Sequence, residues 1–262
     1  MESAARQSGG ISAAARRAAR LLLLLVLSSS LAIPVRGGVR RFTFLYEANT
    51  SAAQSLEFEN WITWRRGSGF DQVDFRHELE YGLTDRFQAS IYLADWFYTD
   101  DQEQRGFVYS DTAVELIYNL TNPVVDPVGM SIYGELRAGD QLIELESKMI
   151  AQKNFGPLIL AYNATLEAVW EGSELEEREG ELSQALGMSY EISPPVSAGI
   201  ELVHEFVFPE WKDAEKIRNL FVGPNVSYRR GSWFITATAL AQATDTDDEP
   251  DFQLRTIVGT GF

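Results

Sequence analysis

Charged side chains recur at every second position through long stretches of this 262-residue chain, with apolar side chains between them. Carboxylates spaced in this way share one face of a β-strand, where their negative potential attracts cations. The acidic members of this face are Glu57, Glu59, Asp74, Glu78, Glu80, Glu115, Glu144, Glu146, Glu167, Glu201 and Glu205. The basic members are Arg65, Arg76, Arg137, Lys148 and Arg255. Because acids outnumber bases, the pattern predicts a surface that favours cations.

The sequence gives less support to covalent or metal chemistry. It has no cysteine and two histidines, His77 and His204. Neither histidine belongs to a His-x-Ser or Asp-x-His pair of the kind that builds a hydrolase, and both fall on the apolar register of their strands. The absence of cysteine also excludes zinc sites built on thiolates. We therefore predict no catalytic residue, no metal site and no cofactor, and we do not expect an enzyme.

The first 38 residues have the composition of an export signal. Four arginines between positions 6 and 20 precede an apolar segment of about 15 residues that begins at Leu21, and small residues follow it. This order predicts a signal peptide over residues 1–38, with cleavage after about residue 32 or 37. The formal charge of the chain is −16, which excludes nucleic acid as a partner because such proteins need a basic surface.

The alternation itself predicts the elements that carry the charged face. A mean hydropathy of −0.15 and a single long apolar run exclude a bundle of membrane helices. Alternating runs of strand length instead occupy residues 54–66, 70–81, 86–98, 109–120, 128–137, 142–153, 158–171, 180–192, 196–208, 219–229, 233–243 and 251–262. Short turns alternate with longer acidic loops between them, apart from short connections at 67–69 and 138–141. We predict an all-β fold, a transmembrane antiparallel up-and-down β-barrel of about 12 strands over residues 54–262.

Aromatic residues separate this barrel from a soluble sandwich, which would alternate in the same way. On the apolar face, aromatic side chains lie near both ends of the predicted strands, and aliphatic side chains lie between them. Such aromatic girdles are typical of a wall that faces lipid. The girdle residues are Trp64, Tyr81, Phe97, Trp170, Tyr190, Tyr228, Trp233 and Phe262. The charged face must then line the lumen, since charges facing lipid at the midplane cost about 2–4 kcal/mol each.

Residues 39–53 do not fit the pattern of the barrel. Arg40 and Arg41 precede the alternating aromatics Phe42, Phe44 and Tyr46. This segment is open to three interpretations: an extra strand, a periplasmic lid, or a plug folded into the lumen. In the last case the two arginines would meet the excess carboxylates of the wall.

Three features resemble Gram-negative outer-membrane β-barrels. They are the signal peptide, the turn Tyr81 to Phe87 between alternating strands, and a last strand that ends the chain on Phe262. The resemblance implies an outer-membrane location, contact with lipid and lipopolysaccharide, and recognition of the last strand by the barrel-assembly machinery. More narrowly, residues 42–48 and 56–61 are similar to poorly characterised transport barrels grouped with phenol-degradation pathways. That similarity implies transport.

We therefore expect a porin-like passive channel or transporter for small solutes, with an acidic, cation-favouring lumen. Two alternatives stay open: an outer-membrane barrel enzyme that hydrolyses lipid or peptide, and a plugged structural barrel without transport. The residues do not identify the solute. They also leave open whether the barrel is a homo-oligomer, in which case His77 and His204 would mark the subunit contact.

Overall fold

The computed structural model describes residues 38, 40–101, 105–212, 216–246 and 249–262. The predicted signal peptide, apart from Gly38, lies outside this range. The strands are β1 (Leu56–Arg66), β2 (Phe70–Thr84), β3 (Phe87–Asp101), β4 (Arg105–Thr121), β5 (Gly129–Gly139), β6 (Leu142–Phe155), β7 (Leu158–Glu171), β8 (Glu177–Ser193), β9 (Val196–Pro209), β10 (Ile217–Arg230), β11 (Trp233–Gln242) and β12 (Phe252–Gly261). No helix in the described part of the chain is long and apolar enough to cross a membrane.

The strands form one closed barrel. Each strand pairs antiparallel with the next one in sequence, and β1 pairs with β12, so that Trp61 lies opposite Ile257. Closure leaves no strand edge unpaired. The predicted all-β fold with twelve antiparallel strands is confirmed. The predicted strand bounds are accurate to a few residues, and the largest difference is at β4, which begins at Arg105 instead of at 109.

The two ends of the barrel differ in their connections. At the lower end, where β1 begins and β12 ends, four of the five connections are two residues long: 85–86, 156–157, 194–195 and 231–232. The upper end carries longer connections, including 172–176, 210–216 and 243–251. This asymmetry agrees with the predicted rhythm of short turns and longer loops.

The alternating pattern assigns side chains to two faces of the wall. On β1, Trp61 and Thr63 point inward and are buried, whereas Ile62 between them points outward and is 41% exposed. Successive side chains of a strand point to opposite faces, so the apolar set faces out and the charged set faces in. The exposed outer face is rich in large apolar side chains such as Leu93, Leu136 and Leu166.

A β-bulge in β3 reverses this assignment near the upper end. Phe75 of β2 pairs with Trp96, but Glu78 pairs with Tyr92, so β3 has one extra residue between these pairs. The extra residue shifts every later side chain of β3 to the other face. Phe97 therefore pairs with the inward Asp74, and its prediction as a girdle residue was wrong. Trp96 takes the outward position and stacks on Phe75, with ring centroids 4.1 Å apart.

The main apolar core lies inside the barrel. Phe42 and Leu45, from the segment before β1, pack against inward side chains of strands β7 to β11. These wall residues are Ile159, Ala161, Ala185, Val203, Phe221 and Leu240. Gly187 makes room for the segment, because a Cβ atom at this position would lie 2.6 Å from the Phe42 ring. The lumen is therefore polar around most of its wall and apolar on one side.

Candidate functional site

The segment before β1, residues 40–55, lies within the lumen and is called the N-terminal segment below. The backbone N–H of Gly38 donates to Glu57 Oε2 at 2.6 Å, near the lower end. The chain then rises until the Thr43 carbonyl accepts a hydrogen bond from Arg255, at 3.2 Å. It returns downward, where the Ser51 N–H donates to Gln88 Oε1 at 2.8 Å. The segment contains no strand, so it is not the extra strand that was one of the three interpretations.

Side chains of the wall accept hydrogen bonds from the N–H groups of this segment. Glu201 accepts from the N–H groups of Thr43 and Phe44, with shortest distances of 3.1 and 2.8 Å. Asn163 Oδ1 accepts from Tyr46 N–H at 2.7 Å. Gln152 Oε1 accepts from Ala48 N–H at 2.8 Å. A buried segment outside a helix or sheet needs such partners, because unpaired backbone groups are costly away from water.

The carbonyl groups of the segment are bonded in the same way. Ser227 donates to the Arg40 carbonyl at 2.8 Å, and Thr236 donates to the same oxygen. Ser131 and Asn119 both donate to the Ala48 carbonyl. Taking Gly38 with the segment, every strand from β1 to β12 contributes a hydrogen bond or ion pair: Glu57, Glu80, Tyr92, Glu115, Ser131, Gln152, Asn163, Glu191, Glu201, Ser227, Thr236 and Arg255.

Five inward carboxylates form what we call the lower cluster: Glu57, Glu59, Glu78, Glu80 and Glu115. In the described residues, Arg40 makes the one ion pair with this cluster, from its Nε to Glu59 Oε1 at 3.3 Å. Ser51 donates to Glu80, and Tyr46 donates to Glu115 Oε2 at 2.9 Å. The N-terminal segment thus supplies a partner to Glu59, Glu80 and Glu115, and the wall adds Trp61 for Glu59 and Ser90 and Tyr92 for Glu115.

Two side chains of the segment have ionisation states that suit them to pair with the carboxylates of the lower cluster. Burial raises the pKa of the Tyr46 hydroxyl well above its usual range, and the nearby Glu115 carboxylate raises it further. Tyr46 therefore stays protonated and donates its hydrogen bond. Burial lowers the pKa of Arg40, but Glu59 and neighbouring acidic groups raise it by more, so its pKa lies well above the usual value. Arg40 remains a cation.

Two cavities flank the segment. The lower cavity has a volume of about 270 Å³ and is lined by Arg40, Glu47 and Ser51 together with Glu57, Glu59 and Glu80. The upper cavity, called the upper chamber below, has a volume of about 620 Å³. Thr43, Phe44 and Tyr46 form part of its floor. The segment therefore separates two spaces that lie along the same lumen.

The wall of the upper chamber from β1 to β6 carries ion pairs. Arg137 lies 3.1 Å from Glu135 and 3.0 Å from Glu144, and it also contacts Asp111 at 3.3 Å. Arg76 pairs with Asp95 and lies 3.2 Å from Glu135. In such a network, inward basic side chains neutralise inward carboxylates of the same wall. Arg65 pairs with Asp74 at 2.9 Å and Lys148 with Glu146 in the same way.

The opposite wall carries carboxylates without a basic partner. Glu167, Glu181 and Glu205, on β7, β8 and β9, line the chamber, and no basic side chain of the described chain lies within ion-pairing distance of them. Glu167 is directly opposite Glu181, and it is also opposite Glu146 on β6. Like charges placed opposite one another repel. This arrangement, called the acidic stripe below, makes that side of the chamber attractive to a mobile cation.

The structure places every predicted lumen residue on the inner face. The acidic residues divide between the two regions, with Glu57, Glu59, Glu78, Glu80 and Glu115 in the lower cluster and the others above it, where Glu201 binds the N-terminal segment. The predicted basic residues all line the upper chamber. Further inward acids were not among the predicted residues: Asp95, Asp111, Glu135, Glu179, Glu181 and Glu191. Strand alternation alone places Glu135 and Glu181 on the inner face, because each lies two residues from an inward side chain of its strand, Arg137 and Ser183.

The predicted girdle residues other than Phe97 face outward. Tyr81, Tyr190, Trp233 and Phe262 are exposed on the outer face, and Tyr228 packs on Trp233. Near the upper end, Trp64 packs on Phe252 and Trp170 on Trp211. The outer face therefore has aromatic side chains at both ends.

The two histidines also face outward. Trp96 Nε1 donates to His77 Nε2 at 3.2 Å, so the other ring nitrogen of His77 carries the proton and donates to Asn60 Oδ1 at 2.8 Å. His204 packs on Phe206, with ring centroids 4.2 Å apart. Neither ring points toward the carboxylates of the lumen.

Solved structures similar to this chain are outer-membrane barrels. The COG4313 outer membrane channel from Pseudomonas putida F1 matches with a TM-score of 0.61 and 12% sequence identity, and the alignment covers 84% of this chain and 100% of that one. The NanC porin matches with a TM-score of 0.54 and 10% identity, over 78% of this chain and 98% of the porin. At these identities the likeness concerns the fold.

The sequence comparisons identify a family. The model of a family of unknown function, DUF6662, matches residues 37–253, and the chain belongs to that family. No curated protein matches the sequence. The matched range includes the N-terminal segment and eleven complete strands.

Proposed function

We propose that this DUF6662 member is an outer-membrane channel for small solutes, with the N-terminal segment as a plug in its lumen. The segment leaves the lumen, or shifts within it, when a solute passes. The two cavities are then the upper and lower vestibules of one pathway, and their acidic walls favour cations over anions. This function combines the predicted transport barrel with one of the three interpretations of residues 39–53.

The observation that carries the proposal is the set of bonds between the segment and all twelve strands. Most of these bonds join backbone groups to side chains, or side chains to side chains, and do not extend the sheet. Water or a polar solute can replace these hydrogen bonds one at a time. A thirteenth strand, in contrast, could leave only by breaking a whole row of backbone hydrogen bonds to its neighbours. A segment held in this way stays seated in a wet lumen without being part of the wall.

The outer-membrane location is supported by the two faces of the wall. The outer face has an aliphatic belt between aromatic ends, which suits lipid and headgroups. The inner face carries the charges, which lipid would not tolerate. In this location we also propose contact with lipopolysaccharide at the upper end, export by the signal peptide, and recognition of β12 by the barrel-assembly machinery.

A channel is favoured over a barrel hydrolase by the positions of the histidines. A hydrolase of this kind uses a base next to its nucleophile, usually histidine. His77 and His204 both face outward, so neither reaches a serine of the lumen. The inward carboxylates instead pair with arginine, lysine and the N-terminal segment.

The test is single-channel recording with a variant that lacks residues 39–53. The full chain and the variant are purified from outer membranes and inserted into planar bilayers. We expect the variant to show frequent, stable openings, and the full chain to show rare or much smaller ones. Reversal potentials under a KCl gradient should show cation selectivity in the variant.

A control variant replaces residues 40–53 by glycine and serine at the same length. It keeps the length of the segment but removes the side chains that hold it in the lumen, so it should also conduct. Migration of unboiled and boiled samples on a detergent gel verifies that each barrel is folded. Equal conductance in all three proteins would refute the plug, and absence of conductance together with lipid hydrolysis would favour the enzyme.

A further inference from the structure

The lower cluster combines buried carboxylates with partners from the chain before β1, an arrangement that a passive channel does not need. The backbone N–H of Gly38 donates to Glu57, and the hydroxyl of Ser51 donates to Glu80. The guanidinium of Arg40 donates to Glu59. All three partners belong to the chain before β1. When this part of the chain moves, these carboxylates lose those partners together, and buried carboxylates without partners are strongly disfavoured.

Arg40 occupies this site in the manner of a bound ligand. Its guanidinium carbon lies 4.5 Å from the ring centroid of Trp61 and 4.8 Å from that of Tyr46, while its Nε faces Glu59. Planar guanidinium groups stack on aromatic rings and form hydrogen bonds to carboxylates in their plane. The position of Arg40 therefore shows which group fits this part of the lumen.

The wall keeps the main elements of the site without the segment. Trp61 Nε1 donates to Glu59 Oε2 at 2.8 Å, which fixes that carboxylate beside the indole ring. Tyr92 lies edge-on to Trp61, with ring centroids 6.5 Å apart, and donates to Glu115 Oε2 at 2.8 Å. Two aromatic rings and their two bonded carboxylates thus belong to β1, β3 and β4, and not to the segment.

Glu78 provides an independent indication of a ligand. Its side chain is completely buried, and neither carboxylate oxygen has a hydrogen-bond partner in the described structure. Glu78 is opposite Glu59 on β1 and opposite Tyr92 on β3, so it belongs to the same inward layer as the site. A ligand with several N–H donors would satisfy the acceptors that Arg40 leaves free.

A metal ion fits the site less well than an organic cation. Within the described residues, three carboxylates converge closely enough for a metal at Glu135, Glu144 and Glu146, which lie outside the lower cluster. That group already pairs with Arg137 and Lys148. The lower cluster combines separated carboxylates with aromatic faces, which is the chemistry that recognises guanidinium and substituted ammonium groups.

We propose that Glu59, Trp61, Glu78, Tyr92 and Glu115 form a binding site for solutes that carry a guanidinium group, and that Arg40 is an internal competitor for this site. The inference rests on the proposed channel function and names its substrate class. A guanidinium solute that enters from a vestibule takes the place of Arg40. The segment then loses its ion pair to the wall, and the pathway opens as the solute binds.

The test uses methylguanidinium as the probe and the variant without residues 39–53 as the open channel. In single-channel recordings with KCl, methylguanidinium should interrupt the potassium current in a concentration-dependent way. Glu78→Gln and Trp61→Leu should each weaken this block at least about tenfold. The matched control is Glu171→Gln, an exposed carboxylate at the upper end of β7, which should leave the block unchanged.

The full chain gives the second measurement. Methylguanidinium should raise the frequency of openings in the full chain, and Arg40→Met should raise it without the probe. Detergent-gel migration again verifies folding of each variant. If the open variant conducts but methylguanidinium blocks no better than sodium does, the binding site is refuted and the channel stands. If the open variant does not conduct, the proposed channel itself fails, and binding is then measured by calorimetry with the full chain and with Arg40→Met.

Discussion

The lower cluster and the upper chamber both contain more acids than bases, but they satisfy their charges differently. In the lower cluster, the hydrogen-bond donors to Glu57 and Glu80 and the ion-pair partner of Glu59 come from the chain before β1. In the upper chamber, the ion pairs are made within the wall, as between Arg137 and Glu144. The excess of acidic residues therefore has different consequences in the two regions of the lumen. Below, it binds the N-terminal segment, and above, it leaves the acidic stripe without basic partners among the described residues.

The difference also separates what each region controls. Changes at the residues that bond to or pack on the N-terminal segment alter whether it is seated in the lumen. Changes in the acidic stripe alter the electrostatic potential of the vestibule, since none of its three carboxylates bonds to the segment. Gating and selectivity are thus expected to respond to different substitutions.

The largest effect is expected from filling the space that Gly187 leaves for Phe42. Gly187→Val places side-chain atoms where a Cβ would already lie 2.6 Å from the Phe42 ring and 2.7 Å from Leu45. Overpacking of this kind costs about 1–3 kcal/mol. We expect the segment to be unseated and the open probability in planar bilayers to rise about tenfold or more.

The control is Gly134→Val, because a Cβ at Gly134 meets nothing closer than 3.9 Å. Its open probability should stay near that of the unmodified chain. If both variants behave alike, the packing of Phe42 against β8 does not hold the segment in place, and the distinction between the two regions is lost.

An intermediate effect is expected from neutralising the acidic stripe. The triple variant Glu167→Gln, Glu181→Gln and Glu205→Gln removes three carboxylates from the upper chamber while it keeps their size. We expect the cation-to-anion permeability ratio to fall severalfold in the variant without residues 39–53, as measured by reversal potentials. The open probability of the full chain should not change, and a rise would show that the two regions are coupled.

The smallest effect is expected from exchanging the two aromatics that follow the bulge in β3. Trp96→Phe removes an outward indole, and Phe97→Trp introduces an inward one. In liposomes, brominated lipid should quench the fluorescence of the unmodified chain more than that of Trp96→Phe. Adding Phe97→Trp should restore intensity but not quenching by lipid, and restored quenching would contradict the reversed register.

Most of the wall was predictable from the sequence because strand alternation is a local property. Whether Ile62 points inward or outward follows from the side chains on either side of it. The same alternation placed all the predicted charged residues on the inner face. Local alternation failed after Tyr92, since a bulge depends on how β3 pairs with β2 and β4. The polar residues that bind the segment were also missed, because Asn, Gln, Ser and Thr on an inward face carry no signal that distinguishes a wet wall from a binding surface.

The sequence by itself determined that the chain forms twelve strands with an apolar face and a charged face, because a period of two residues fixes both. It also determined that acids exceed bases on the charged face. Only the tertiary structure decided which carboxylates find partners. Tyr46 bonds Asn163, 117 positions later, and Thr43 bonds Glu201, 158 positions later. Such pairs form only when the wall closes around the N-terminal segment, so no local pattern specifies them.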